Sequence, residues 1–175
     1  MNLSTSQTNV GCFNGSDGSA TVTATGSKPP YTYSWNTSSV QTTQTATGLA
    51  FGTYTVVVTD SNNCKSNTSV NITQPVILTT TVSQVNVSCN AGSNASATVT
   101  PAGGTPAYLY SWNTSPVQTK ATATGLKAGT YMVSVTDGKG CLTPDTVLIS
   151  EPTQLTATCT KTNAKCKTNS NGTAT

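Results

Sequence analysis

The residues from Tyr31 to Asp60 read "YTYSWNTSSVQTTQTATGLAFGTYTVVVTD", and those from Tyr108 to Asp137 read "YLYSWNTSPVQTKATATGLKAGTYMVSVTD". The second copy needs no insertion or deletion to match the first. Cys12, Cys89 and Cys166 are spaced by 77 residues, as are Trp35 and Trp112, Tyr54 and Tyr131, Asp60 and Asp137, Cys64 and Cys141, and Pro75 and Pro152. A period this long exceeds the roughly 20–50 residues of a solenoid turn and suits one small domain per repeat. The expected organisation is a domain over 1–75, a second over 76–152, and the start of a third over 153–175.

Within a repeat the hydrophobic pattern has period two. Ala20, Val22 and Ala24 alternate with Thr21, Thr23 and Thr25, as a half-buried strand requires. Tyr31, Tyr33 and Trp35 share one face, as do Tyr54, Val56 and Val58, and Val70 and Ile72. A Thr/Gln segment "VQTTQTATG" reads as a strand ended by Gly48, and Asn14-Gly15, Asp17-Gly18, Pro29-Pro30 and Asn62-Asn63 mark turns. With an opening strand before Cys12, each repeat has six or seven short strands and no helical period. Leu, Ile, Val and Phe supply only about a sixth of the chain, and Thr with Ser about a third. Such a thin core would suggest disorder if the net charge were high, but it is only +3.

Two details narrow the architecture to tandem immunoglobulin-like β-sandwiches in a linear array. Trp35 falls on the third strand, and Leu49-x-x-Gly52-x-Tyr54 has the spacing of a tyrosine corner. Trp112, Leu126, Gly129 and Tyr131 repeat both. The four aromatics Trp35, Tyr54, Trp112 and Tyr131 are therefore expected in the core, in preference to a sugar-stacking platform.

Together the segments "CFNGSDGSATVTATG", "PYTYSWNTS", "GLAFGTYTVVVTDSNNC" and "ITQP" resemble the SprB-type repeat of Bacteroidetes gliding and cell-surface adhesins. The likeness runs through both copies and into the third. Copy two departs at Ala95, where copy one has Gly18, and the third has Cys159 where Val82 stands. The resemblance implies an extracellular protein of the bacterial surface, exported by a type IX system and engaged in adhesion or gliding. It also implies O-glycosylation at Asp-[Ser/Thr]-aliphatic sequences, which makes Thr146 in Asp145-Thr146-Val147 a candidate.

Six cysteines without a histidine or a CxxC pair read as disulfides rather than zinc ligands. Repetition favours Cys12–Cys64 and Cys89–Cys141, each closing a loop worth about 4 kcal/mol, with Cys159 and Cys166 left to pair with each other. The alternative is Cys12 with Cys141 across the junction. In a regular immunoglobulin topology the first loop and the last hairpin lie at opposite ends.

Catalysis lacks parts: there is no His base, no nucleophile triad and no phosphate loop. No cofactor is expected. Asp60 and Asp137 recur at one structural place and are weak calcium candidates, against an Asx turn that caps local N–H groups. Eight scattered lysines form no basic stripe for nucleic acid, and no apolar run is long enough to span a membrane. Nor does an apolar leader follow Met1.

The expected function is thus a non-catalytic structural or adhesive module of a long surface protein or filament. Its partners would be neighbouring repeats or copies of itself. The competing reading is a carbohydrate-binding module contacting surface polysaccharide through Phe13 and Phe51, whose positions in copy two hold Asn90 and Ala128. The stretch after Pro152 is expected to belong to a longer repeat polymer or to complete a neighbouring copy by strand addition.

Overall fold

A computed structural model describes residues 1–162 and 173–174. The first repeat forms six strands: β1 (Asn2–Thr8), β2 (Gly18–Thr25), β3 (Thr32–Trp35), β4 (Thr45–Leu49), β5 (Gly52–Thr59) and β6 (Lys65–Ile72). They make two antiparallel sheets, ordered β1-β2-β4 and β3-β5-β6. The second repeat copies them as β7 (Thr79–Val85), β8 (Ala95–Ala102), β9 (Leu109–Trp112), β10 (Thr122–Leu126), β11 (Gly129–Thr136) and β12 (Leu142–Ile149). Its sheets are β7-β8-β10 and β9-β11-β12. This is the immunoglobulin strand order with the fourth strand of one sheet replaced by a loop.

The alternation in the sequence decides which side chains go inside. Ala20 and Val22 of β2, Ala46 and Leu49 of β4, Val56 and Val58 of β5, and Val70 and Ile72 of β6 are buried around Trp35. The threonines between them face outward, where Thr21 and Thr45 join hydroxyls across the sheet at 2.9 Å. The second core repeats this around Trp112. Each tryptophan is 1% exposed and donates its ring N–H to a backbone carbonyl, that of Thr43 or of Lys120. Burying a ring of this size contributes about 4–6 kcal/mol before conformational entropy is counted. That is a large share for so thin a core.

Gly48 does not end its strand. It lies within β4, at a shift of register against β2, and the strand runs on to Leu49. After Pro152, β13 (Lys161–Thr162) pairs with β14 (Thr173–Ala174). Lys161 faces Ala174 as Gln7 faces Ala20 and Gln84 faces Ala97, so this pairing follows the register of the repeat's own first hairpin. It is made within the chain. Cys159 is exposed, and Cys166 lies outside the described residues.

Candidate functional site at the repeat junction

Where each loop lies decides what the cysteines can reach. The β1–β2 loop sits at the end of the first sandwich where the chain leaves it. Val10 donates to the Thr73 carbonyl, and the Thr73 and Asn14 N–H groups donate to the side chains of Asn9 and Gln74. The β5–β6 hairpin lies at the other end, beyond strands of eight residues or about 25 Å. Cys12 is on the loop and Cys64 at the hairpin. They cannot meet, because bridged Cα atoms lie within about 7 Å of each other.

The bond is instead Cys12–Cys141, with S–S 2.09 Å and Cα–Cα 5.6 Å. It joins the exit end of the first sandwich to the β11–β12 hairpin of the second. This overturns the pairing Cys12–Cys64 with Cys89–Cys141 that repetition favoured, and it leaves Cys64 and Cys89 as exposed thiols.

Hydrogen bonds hold the connector beside the bond. Gly104 donates its N–H to the Val76 carbonyl at 2.9 Å, and the Thr143 hydroxyl donates to the Leu78 carbonyl at 3.2 Å. Tyr108 donates its hydroxyl to the Gly103 carbonyl at 2.6 Å, fixing the turn under the connector. Gly103 has φ +73°, and a Cβ there would stand 2.1 Å from the Ile77 carbonyl oxygen. No side chain fits between this turn and the connector. Beside the disulfide, Phe13, Val76, Ile77 and Leu142 line an open cleft of about 500 Å³.

The two aspartates stand at the hairpin ends as turn caps. One oxygen of Asp60 accepts N–H groups from Asn62 and Cys64 at 2.9 Å, and the other accepts the Ser27 hydroxyl. Asp137 accepts N–H groups from Lys139, Cys141 and Thr105 at 2.8–2.9 Å. Ser27 and then the backbone N–H groups hold the Asp60 carboxyl below its ordinary value, against the opposing effect of burial. The Thr105 N–H leads the same effect at Asp137. Oxygens already taken by hydrogen-bond donors are poor ligands for a cation. Among the described residues no group of three or more His, Cys, Asp or Glu could hold a metal ion. Asp137 thus orders the hairpin that presents Cys141.

The remaining candidates are dispersed. Tyr54 and Tyr131 are half-buried against the cores, and their hydroxyls donate to the carbonyls of Ala50 and Lys127 at 3.2 Å, near the surface. Phe13 lies in the junction cleft, while Phe51 is exposed at the turn between β4 and β5. Thr146 is exposed on β12, its N–H bonded to the Asp145 carboxylate.

Two stretches, residues 4–40 and 81–117, match the SprB repeat. The chain carries two SprB repeats. No curated protein matches it. Among solved structures it is similar to an amphioxus IgVJ-C2 molecule at 16% identity, covering 82% of this chain and 98% of that one, with TM-score 0.37. A C-terminal intimin fragment, solved with the intimin-binding domain of its translocated receptor, is 16% identical over 85% of this chain and 63% of its own, with TM-score 0.44. A Dscam structure is 15% identical over 82% of this chain and 42% of its own, with TM-score 0.36. With TM-scores below 0.5 these likenesses carry no argument about this chain.

An immunoglobulin-like SprB repeat is a structural or adhesion module, a non-catalytic kind of fold, of a cell-surface or extracellular protein. No helix among the described residues is long and apolar enough to cross a membrane.

Reading the sequence for what repeats missed the connector glycines and the cleft. Their signal lies where the copies disagree. Phe13, Val76 and Ile77 become Asn90, Thr153 and Gln154 one period later, and Leu142 is Lys65 one period earlier. At these four positions the apolar residue stands where a repeat faces its neighbour across the junction.

Proposed function

We propose that this chain is a stiff spacer and adhesive segment of an extracellular surface array, in which SprB repeats over 1–75 and 76–152 are fixed end to end. The observation that carries this reading is the Cys12–Cys141 bond across the junction. A disulfide inside one sandwich stabilises that domain only. One between sandwiches, beside a hydrogen-bonded connector, removes the hinge that a short linker otherwise leaves. Such a bond also suits an oxidising exterior. Outward threonines keep the faces wetted with little charge, as a long surface polymer requires. Attachment to a filament, a gliding role, type IX export and O-glycosylation at Thr146 belong to the same reading through the family.

Small-angle scattering tests it. The oxidised chain should have one sharply defined maximum dimension, and Cys12→Ser should broaden that distribution. Equal distributions for the two would refute the stiff spacer. Binding of the chain to a glycan array, lost on Phe51→Ala, would favour the carbohydrate-binding alternative. Against that alternative, Phe13 and Phe51 lie on separate loops and neither recurs in the second repeat.

A further inference from the structure

The side of each sandwich where a loop replaces the fourth strand is closed, in both repeats, by a single glutamine. On the opposite side the edge strands of the two sheets pack together, β1 against β6 and β7 against β12. On this side, among the described residues, β3 and β4 have no strand beyond them, and the chain from Asn36 to Gln44 passes between them as a loop. A free edge turns a row of N–H and C=O groups outward, which is a template for a strand from elsewhere.

The register decides which groups β4 turns outward. Val22 donates its N–H to the Gln44 carbonyl at 3.1 Å. Successive residues of a strand turn their backbone groups to opposite sides, so Ala46 also bonds toward β2, while Thr45 and Thr47 turn away from it. Val99 and Ala121 set the same phase in the second repeat, where Thr122 and Thr124 turn away from β8.

A side chain takes the outward groups of Thr47. The Thr47 N–H donates to Gln41 Oε1 at 2.9 Å, and Gln41 Nε2 donates to the Thr47 carbonyl at 2.9 Å. A carboxamide offers an acceptor and a donor side by side, as a strand residue does, so it fills the place of one residue of the missing strand. The main chain of Gln41 serves the other sheet. Its carbonyl accepts the Trp35 N–H at 3.0 Å, and its N–H donates to the Thr37 hydroxyl oxygen at 3.2 Å. Gln118 makes the same four bonds, two to Thr124 and one each to Trp112 and Thr114. In the first repeat the Thr43 hydroxyl also donates to the outward carbonyl of Thr45.

We propose that Gln41 and Gln118 are edge guards, which keep β4 and β10 from pairing with the same edge of a second copy of the chain. Tandem domains of similar sequence are exposed to this hazard, because every neighbour offers a matching strand, and repeat proteins misassemble in that way. Charged side chains are a common guard on an exposed edge. Here the guard is neutral and bonds the edge directly, at one position in each repeat, while its own main chain anchors it to the facing sheet.

The test replaces the glutamines by methionine in the full chain, with free thiols alkylated. Methionine keeps the length of the side chain and removes both bonds to the edge. Relative to the parent, Gln41→Met or Gln118→Met alone should double the mass seen by light scattering as concentration rises, and the double variant should grow larger. Amide exchange at Thr47 and Thr124 should be faster than in the parent at low concentration and slow again on association. Adding Thr47→Lys and Thr124→Lys should return the double variant to the parent mass, because a charge blunts the edge without restoring the lost bonds. A double variant with the parent mass at every concentration would overturn the proposal. So would association that persists with the lysines, or loss of the cooperative melt, since either makes the glutamines supports of the fold and not guards of its edge. The stiff-spacer reading rests on the Cys12–Cys141 bond and would survive each of these results, so the two fail separately.

Discussion

Removing the bond across the junction should cost more than any single surface contact, and the structure says how much and where. The disulfide spans 129 residues. If both sandwiches unfold together, the chain-entropy model gives about 5 kcal/mol for a loop of that length. If only the first unfolds, the connector stays pinned to the second at Val76, and the loop is the stretch from Cys12 to that point. That still gives about 4 kcal/mol. At roughly 4–8 °C per kcal/mol for a sandwich of this size unfolding alone, Cys141→Ser should lower the melting temperature of the first sandwich by about 15–30 °C. Cys64→Ser should leave it unchanged, because Cys64 is unbonded. Differential scanning calorimetry of the oxidised variants reads both. Bridges within each repeat would give the reverse for the first sandwich: a large loss on Cys64→Ser and none on Cys141→Ser. That result, or a Cys12–Cys64 peptide in a non-reducing digest, would refute the account of the junction.

Trp35→Ala should cost about 3–5 kcal/mol and unfold the first sandwich while the second persists, as seen by two calorimetric transitions. Gly103→Ala should destabilise the second sandwich by more than Gly26→Ala does the first. Both positions have φ near +70°, a strain of roughly 1–3 kcal/mol for alanine, but only at Gly103 does the new Cβ strike backbone, the Ile77 carbonyl. Denaturant melts of the two variants, with hydrogen exchange at the Gly104 amide, check this. Asp60 and Asp137 ionise more readily when folded than their ordinary value of 3.8. Their stabilisation is therefore complete above that value and is lost as the pH falls through the lower folded one. Thermal stability should be flat down to about pH 5 and fall below 3.8, and the double variant Asp60→Asn with Asp137→Asn should show a shallower acid limb.

Much of each sandwich can be read along one repeat, because strand faces are a local matter. Ala20, Val22, Val56, Val58, Val70 and Ile72 go inside because they alternate with polar residues, and a pleated strand sends alternate side chains to opposite faces. Trp35 and the Leu49-x-x-Gly52-x-Tyr54 spacing point to the immunoglobulin arrangement for similar reasons. Gly48 shows the limit, since a bulge and a strand end place the same residue after the same polar run.

The junction belongs to another class of information. A sequence that repeats without a slip makes Cys12–Cys64 and Cys12–Cys141 look alike, because each pairs the first kind of cysteine with the second. The choice between them depends on which end of the sandwich each loop occupies, and that follows only once the strands have been paired and the sheets stacked. By itself the sequence determined two β domains of one pattern, their core faces and the residues where the copies differ. The tertiary structure alone decided that the first loop of one domain lies against the last hairpin of the next. A disulfide reaches only a few ångströms, so this placement, and not the spacing along the chain, determines which cysteines are joined.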